Sequence, residues 1–421
     1  MPDLMLITGC AQLLTLRGPV PRRGRALTDP GLIPNGALLV RDGRIAAVGP
    51  RSRIERLPEA RRAEKLDLGG RVVLPGFVDS HTHLVFPASR VEDYEARLRG
   101  ASYEQIARRG GGILSTVRKL RRAPLERLKE RALASLRRFA AHGTTTVEAK
   151  SGYGLDEASE LKTLRLLRQL ALEQPLDIVP TFLGAHVVPL EYRARADAYV
   201  DFLARRLIPA VARERLAEFC DVFCDRGAFT PAQARRVLAA GRVCGLVPRV
   251  HAEQIARTGG ARLAIEMNAA SADHLEKVSA ADIRALAASD VVCTLLPGCC
   301  FHLGLRHYPP ARDLISAGAA VALATDFNPG TSPTLSMQMV LSLACAQMRM
   351  TPAEAIAAAT INAAFSLRRH ARAGSLEIGK QADIAVFELA DYREIPYYFG
   401  VNHCWLTMKR GEIIYQRGRK T

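Results

Sequence analysis

From about Leu74 to Ser366 the chain alternates short β-branched runs with helical stretches, and this alternation limits the fold more than any other feature. Thr144-Thr145-Thr146-Val147-Glu148, Asp177-Ile178-Val179-Pro180-Thr181-Phe182 and Ala320-Val321-Ala322-Leu323-Ala324-Thr325 read as strands. Pro124 to Ala141 reads as a helix, with Pro at the first turn, apolar residues at helical spacing and Gly143 just past the end. Strand–helix units repeated over roughly 290 residues predict a parallel α/β architecture, most simply a (β/α)8 TIM barrel. No Gly-x-Gly-x-x-Gly opens a helix after the first strand, which argues against a dinucleotide-binding fold. In a barrel, function sits where strands give way to loops, and the polar clusters of this chain fall there.

Both ends read as β structure. Ala37 to Val48 is a hairpin pattern in which Asp42-Gly43 suits the positive φ of a tight turn. Cys404-Trp405-Leu406-Thr407-Met408, a Lys409-Arg410-Gly411 turn and Glu412-Ile413-Ile414-Tyr415 repeat it, and Asp383 to Phe387 adds a strand. The expectation is a small composite β-sandwich domain from residues 1–70 and 367–421, with the barrel, 71–366, inserted between them.

Composition narrows the function classes. The 421 residues are 48% hydrophobic and 24% charged, enough for a large core. No run approaches the roughly 18 apolar residues of a membrane helix. Met1 to Leu16 lacks the basic start and cleavage site of a signal peptide and reads as a strand, so no membrane association and a cytoplasmic location are expected. Nine cysteines, an odd number, predict free thiols. Cys220/Cys224 and Cys299-Cys300 lack the C-x2-C spacing of structural zinc and read as small buried hydrophobes. The net charge of +17 comes mostly from arginines in helical stretches such as Arg118 to Arg122 and Arg131 to Arg138. With aromatics at 6% and none interleaved, these are solvated helix faces; no nucleic acid is expected, although the charge can attract an anionic substrate.

The chemistry starts at Val72 to His83, an apolar strand running into His81-Thr82-His83. In an extended chain residues two apart face the same side, so both imidazoles can reach one ion. Other His and Asp residues also follow apolar runs: His186 after Pro180 to Ala185, His251 after Leu246 to Val250, His274 in Ser271 to Glu276, and Asp326 after Leu323-Ala324-Thr325. Imidazole and carboxylate ligands without cysteine suit Zn2+ or Fe2+ at an open, water-bearing site. Asp326 is a candidate to take the water's proton.

These segments together resemble the amidohydrolase superfamily: His-Thr-His after Pro-Gly-Phe-Val-Asp, the late Thr325-Asp326, and the tail Gly374 to Asp383. Within it, Gly110-Gly111-Gly112-Ile113, Glu148 to Gly154, Phe182 to His186 and Asp326 to Thr331 are similar, in order, to segments of the imidazolonepropionase family. The resemblance implies one catalytic Zn2+ or Fe2+/Fe3+ per chain on His81, His83, His251 and Asp326. It implies substrate contacts from Arg90, Tyr153, His186, Asn328, Gly330 and Thr331, and a place for His274 near the reacting carbonyl. It further implies a homodimer, a small anionic cyclic-amide substrate, and hydrolysis of 4-imidazolone-5-propanoate to N-formimidoyl-L-glutamate in histidine degradation. Independently, the planar fork of Arg90 suits a propionate carboxylate, Tyr153 lies in a turn-like Ser-Gly-Tyr-Gly, and Asn328-Pro329-Gly330-Thr331 reads as a turn with backbone donors.

One position departs from the pattern. Many members carry glutamate three residues after the metal histidine, where this chain has Gln254 in His251-Ala252-Glu253-Gln254. An amide can hydrogen-bond a ring or a water but cannot act as a base, so if the family contact falls on Gln254, proton transfer rests more heavily on Asp326 and His274, with Glu253 as a further candidate and Gln254 assisting only through its hydrogen bonds. Lys150, on one strand face with Glu148, keeps open a second reading: a binuclear amidohydrolase, such as a cyclic-imide hydrolase or aromatic deaminase, with a carbamylated lysine bridge. From another class, a nucleic-acid-binding protein with a vestigial site is the reading a salt titration with DNA addresses.

Overall fold

The computed structural model describes residues 4–101, 105–106 and 109–418. Eight parallel strands follow one another around a single sheet in chain order: Phe77–Asp79, Thr144–Lys150, Asp177–Ala185, Phe219–Cys224, Val247–Ala252, Ser271–His274, Val292–Leu295 and Val321–Leu323. The ends of this sheet meet just beyond the first and eighth strands. Thr82 pairs in parallel with Phe327, the His83 amide donates to the Phe327 carbonyl at 2.8 Å, and the Asp326 amide donates to the His81 carbonyl at 3.0 Å. The result is the expected α/β barrel, nearly closed.

Helices cover the barrel strands from outside, so these strands are buried on both faces, as in other all-parallel sheets. The helix Leu125–Ala141 shows how the sequence dictates this packing. It buries Leu128, Ala132, Leu136 and Phe139, spaced to fall on one face, while its arginines stay outside. Each buried leucine contributes about 1.5–3 kcal/mol. Pro124 precedes the first turn and Gly143, at φ +90°, releases the chain into the next strand.

The termini interleave in one seven-stranded mixed sheet, ordered Glu412–Gln416, Cys404–Lys409, Ile384–Phe387, Glu64–Pro75, Leu4–Leu14, Leu32–Arg41, Arg44–Pro50. Leu4–Leu14 and Glu64–Pro75 run parallel and the other pairs antiparallel. The predicted hairpins turn at Asp42-Gly43 and Arg410-Gly411, all four residues at positive φ. Strand Glu64–Pro75 feeds the first barrel strand through Gly76, where a Cβ would lie 2.2 Å from a Thr145 methyl. Lys409 ties the sheet to the barrel: its Nζ lies 2.7 Å from Asp383 and 2.9 Å from Asp177. All nine cysteines are free. No helix among the described residues is long and apolar enough to cross a membrane.

Candidate active site

The closure of the barrel brings the two most distant parts of the site together. Asp79, at the end of the first strand, accepts hydrogen bonds from the Thr325 amide (3.0 Å) and hydroxyl (2.5 Å), which fixes the next residue, Asp326, beside His81 and His83. Burial pushes the Asp79 carboxyl up to about 7. His81 Nε2 and His83 Nε2 each lie 3.6 Å from Asp326 Oδ1. His251, on the fifth strand, and His274, ending the sixth, face the same space; the ligand atoms of His81, His251 and His274 lie within 4.8 Å of one another.

These residues fit a metal ion. Bonds of about 2.0–2.2 Å in a tetrahedral site put neighbouring ligand atoms about 3.4 Å apart, close to the His–Asp separations here. Among the described residues His81 Nε2 and His251 Nε2 are buried without a hydrogen-bond partner, a costly state that an ion would relieve. Burial, with Lys150 and neighbouring imidazoles adding to it, holds His81 well below the ordinary histidine range, and burial with His186 and His81 does the same for His83. Neutral imidazole is the form that ligates metal. Burial also raises the Asp326 carboxyl, to about 6.

Behind the imidazoles lies a buried ionic lattice that sets their orientation. Asp273 Oδ2 lies 2.7 Å from His81 Nδ1 and 3.3 Å from the Arg249 guanidinium. Despite burial, Arg249 and Lys150 hold the Asp273 carboxyl below its ordinary value, so the His81 Nδ1–H donates and Nε2 keeps its lone pair. Asp221 Oδ2 lies 3.0 Å from His251 Nδ1 and 2.8 Å from Lys150 Nζ, which also reaches Glu148 at 2.7 Å. Burial pulls the Lys150 amine down, but Asp221 and Glu148 outweigh it and keep the amine charged. Carbamylation needs a free neutral amine, so this pairing works against a bridging lysine.

Tyr153 and His186 line the same space, and the Arg90 charge is felt by both. Arg90 precedes the helix Val91–Leu98, its amide bonded to the Pro329 carbonyl at 3.1 Å. The Tyr153 ring lies 5.7 Å from His83 and 5.4 Å from His186, and the His186 ring stacks on His83 at 5.2 Å. His186 Nδ1 is bound to the Gly152 carbonyl at 3.0 Å, and burial lowers the imidazole to about 3, leaving it neutral. In the loop after Asp326, Asn328 Oδ1 accepts from the Gly330 amide (2.8 Å) and the Thr331 amide (2.7 Å). The backbone donors that the sequence offered to a ligand are therefore used inside the turn.

Glu253 and Gln254 part company. Glu253, at φ +57°, turns its carboxylate away from the imidazoles and accepts from the amides of Thr258 (2.7 Å), Gly259 (3.0 Å) and Ala261 (3.2 Å). It secures the loop and the start of helix Gly260–Glu266, so the proton-transfer role considered for it has no geometric basis. Gln254 is half-buried, with its Nε2 3.4 Å from Cys299 Sγ.

Asp79, Asp221, Arg249 and Asp273 were not among the residues picked out by sequence. Their signal was present: a charge inside an apolar strand, as in Phe219-Cys220-Asp221-Val222-Phe223 and Val247-Pro248-Arg249-Val250, is costly unless paired.

The description Amidohydrolase family matches residues 72–414, and Imidazolonepropionase-like composite domain, bacteria, matches residues 36–57. Imidazolonepropionase of Solibacter usitatus is 50% identical over 418 residues, covering 99% of this chain and 100% of that one. Imidazolonepropionase of Geobacillus kaustophilus is 47% identical, covering 99% of each. Among solved structures, E. coli guanine deaminase shares the fold at a TM-score of 0.74 and 16% identity, covering 99% of each chain. The buried His/Asp cluster at the loop end of a nearly closed barrel and this full-length similarity lead to one assignment: the chain belongs to the amidohydrolase family and, within it, to the imidazolonepropionases.

Proposed function

We propose that the chain opens the ring of 4-imidazolone-5-propanoate by hydrolysis, giving N-formimidoyl-L-glutamate. The observation that carries this reading is two buried clusters that share His81, one with His83 and Asp326 and the other with His251 and His274, with the Arg90 charge within reach of Tyr153 and His186 beside them. His81, His83, His251 and Asp326 would hold one ion, Zn2+ or Fe2+/Fe3+. When bound, such an ion lowers the pKa of a water and polarises the ring carbonyl.

The remaining work falls to side chains. The Arg90 guanidinium holds the propionate carboxylate, and Tyr153 and His186 orient the ring, His186 through the nitrogen not bound to Gly152. Gln254 offers an amide to the substrate, and Asn328 with Gly330 and Thr331 shapes the wall beside Arg90. Asp326 takes a proton from the attacking water as the new C–O bond forms. Burial pulls the His274 ring down, but Glu276 outweighs it and favours the protonated form, whose Nε2–H stabilises the charge that develops on the carbonyl oxygen. The ring C–N bond then breaks, and the proton held by Asp326 passes to the leaving nitrogen. The reading carries with it a cytoplasmic homodimer.

The test is turnover. Protein reconstituted with Zn2+ or with Fe2+ is expected to deplete the imidazolone absorbance and yield N-formimidoyl-L-glutamate, with about one ion per chain and loss of activity on chelation. A folded, metal-loaded protein that leaves fresh substrate unchanged refutes the assignment, and two ions per chain refute the mononuclear site.

A further inference from the structure

Glu276 is an unusual carboxylate. Its side chain is 1% exposed, yet no lysine or arginine among the described residues pairs with it. Oε1 lies 3.4 Å from His274 Nδ1 and accepts from the Cys300 thiol at 3.4 Å, while Oε2 is buried with no hydrogen-bond partner among the described residues. Burying a carboxylate on such partners is unfavourable. The chain also reaches this arrangement through strain, since His274 (φ +83°) and Leu275 (φ +71°) both occupy the left-handed region that side chains avoid. Costs of this kind persist where the surrounding structure enforces them, and they cluster at functional sites. The two strained residues fold Glu276 back onto the ring that precedes it.

We propose that Glu276 is a positioning residue for His274: it binds Nδ1–H, fixing the ring so that Nε2 faces the His81/His251 cluster. The inference rests on the catalytic reading above, in which His274 acts at the reacting carbonyl. The logic is that of any carboxylate–imidazole pair, where a partner on one ring nitrogen decides what the other presents. It gives this site a buried carboxylate at a distance from the Gln254 amide, acting through an imidazole. Cys300, whose thiol holds the same Oε1, restrains the carboxylate from the other side.

The test uses the full-length, metal-loaded protein. Glu276→Ala is expected to lower kcat by about 10- to 100-fold with KM within about twofold and metal content unchanged. Glu276→Asp should restore part of the loss. In the His274→Ala background, Glu276→Ala should cost nothing further, because the two act as a unit. NMR of isotope-labelled histidine, without substrate, is expected to show a proton held on His274 Nδ1 in the wild type and a changed Nδ1 protonation in Glu276→Gln. A kcat for Glu276→Ala within twofold of wild type, losses that multiply in the double variant, or an unchanged Nδ1 protonation each overturn the proposal. If Glu276→Ala fails to fold, the isosteric Glu276→Gln carries the kinetic test. A wild type that does not turn over refutes the functional reading, whereas the Nδ1 measurement still judges the pair.

Discussion

The Arg90 guanidinium occupies the space where any side chain at position 330 would begin: a Cβ built on Gly330 would lie 1.2 Å from an Arg90 terminal nitrogen and 1.9 Å from its Cζ. Among the described residues the Arg90 Nε is buried without a hydrogen-bond partner, and the only carboxylate within 4.0 Å of it is that of Asp93, at the limit of that range. Because the clash is with the far end of a flexible side chain, Gly330→Ala should fold with a melting temperature near that of the wild type. It should nevertheless displace the guanidinium and raise KM, as Arg90→Ala does directly. In the double variant the two effects should not add. Steady-state kinetics on the three variants decide this; an unchanged KM in Arg90→Ala removes the proposed carboxylate contact.

Asp273 stands between His81 and the cations Arg249 and Lys150, the latter 3.9 Å away. Asp273→Asn keeps the shape but removes the charge that fixes the His81 tautomer, so metal affinity should fall about 10- to 100-fold. Stability should also fall, by about 3–5 kcal/mol, because Arg249 and Lys150 lose a buried counter-charge. A competitive chelator titration measures the first effect and denaturant unfolding of the metal-free protein the second. Wild-type affinity in this variant would mean that the tautomer is held by something else.

The contrast between these two relationships explains what could be read in advance. The barrel and the terminal hairpins were legible because periodicity and turn chemistry are local: Gly143 ends a helix, and Asp42-Gly43 forms a turn, whatever lies across the fold. The meeting of His81 with His83 was legible because they sit two apart at a strand end. The lattice behind them was not, because pairing Asp273 with His81, or Asp79 with Thr325, depends on which strands become neighbours at closure. Glu253 and Gln254 illustrate the same limit at a smaller scale. Adjacent in sequence, they diverge because the positive φ of Glu253 rotates its side chain into the following loop.

That divergence separates stability from activity. The Glu253 carboxylate receives three backbone amides, and Glu253→Ala leaves them without an acceptor in a half-buried loop. The expected cost is about 1–3 kcal/mol, with kcat per folded molecule retained to within a few-fold. Thermal unfolding alongside kinetics on the folded fraction checks this. A large kcat loss in fully folded Glu253→Ala would restore a catalytic role for Glu253.

The same loop carries a pH dependence through Asp282. Its carboxylate is gripped by Arg257 (2.6 Å), Arg262 (2.9 Å) and the Ser279 hydroxyl and amide (2.7 and 3.0 Å). Arg257 above all, against the opposing pull of burial and with Ser279 and Arg262 assisting, holds this carboxyl well below the ordinary range. For an acid whose folded value is depressed, the stabilisation is complete above the unfolded pKa, about 3.9 for aspartate, and is lost as pH falls through the folded value. Asp282→Asn never has that contribution. At pH 7 the variant should therefore unfold more easily than the wild type, by about 1–3 kcal/mol. The gap should hold down to about pH 5 and narrow below about pH 4, where Asp282 of the unfolded wild-type chain takes up a proton that the folded carboxylate still refuses. Parallel unfolding curves of both proteins between pH 7 and pH 3 measure the gap directly. A gap that stays constant into acid would place the stabilisation in packing rather than in the charge on Asp282.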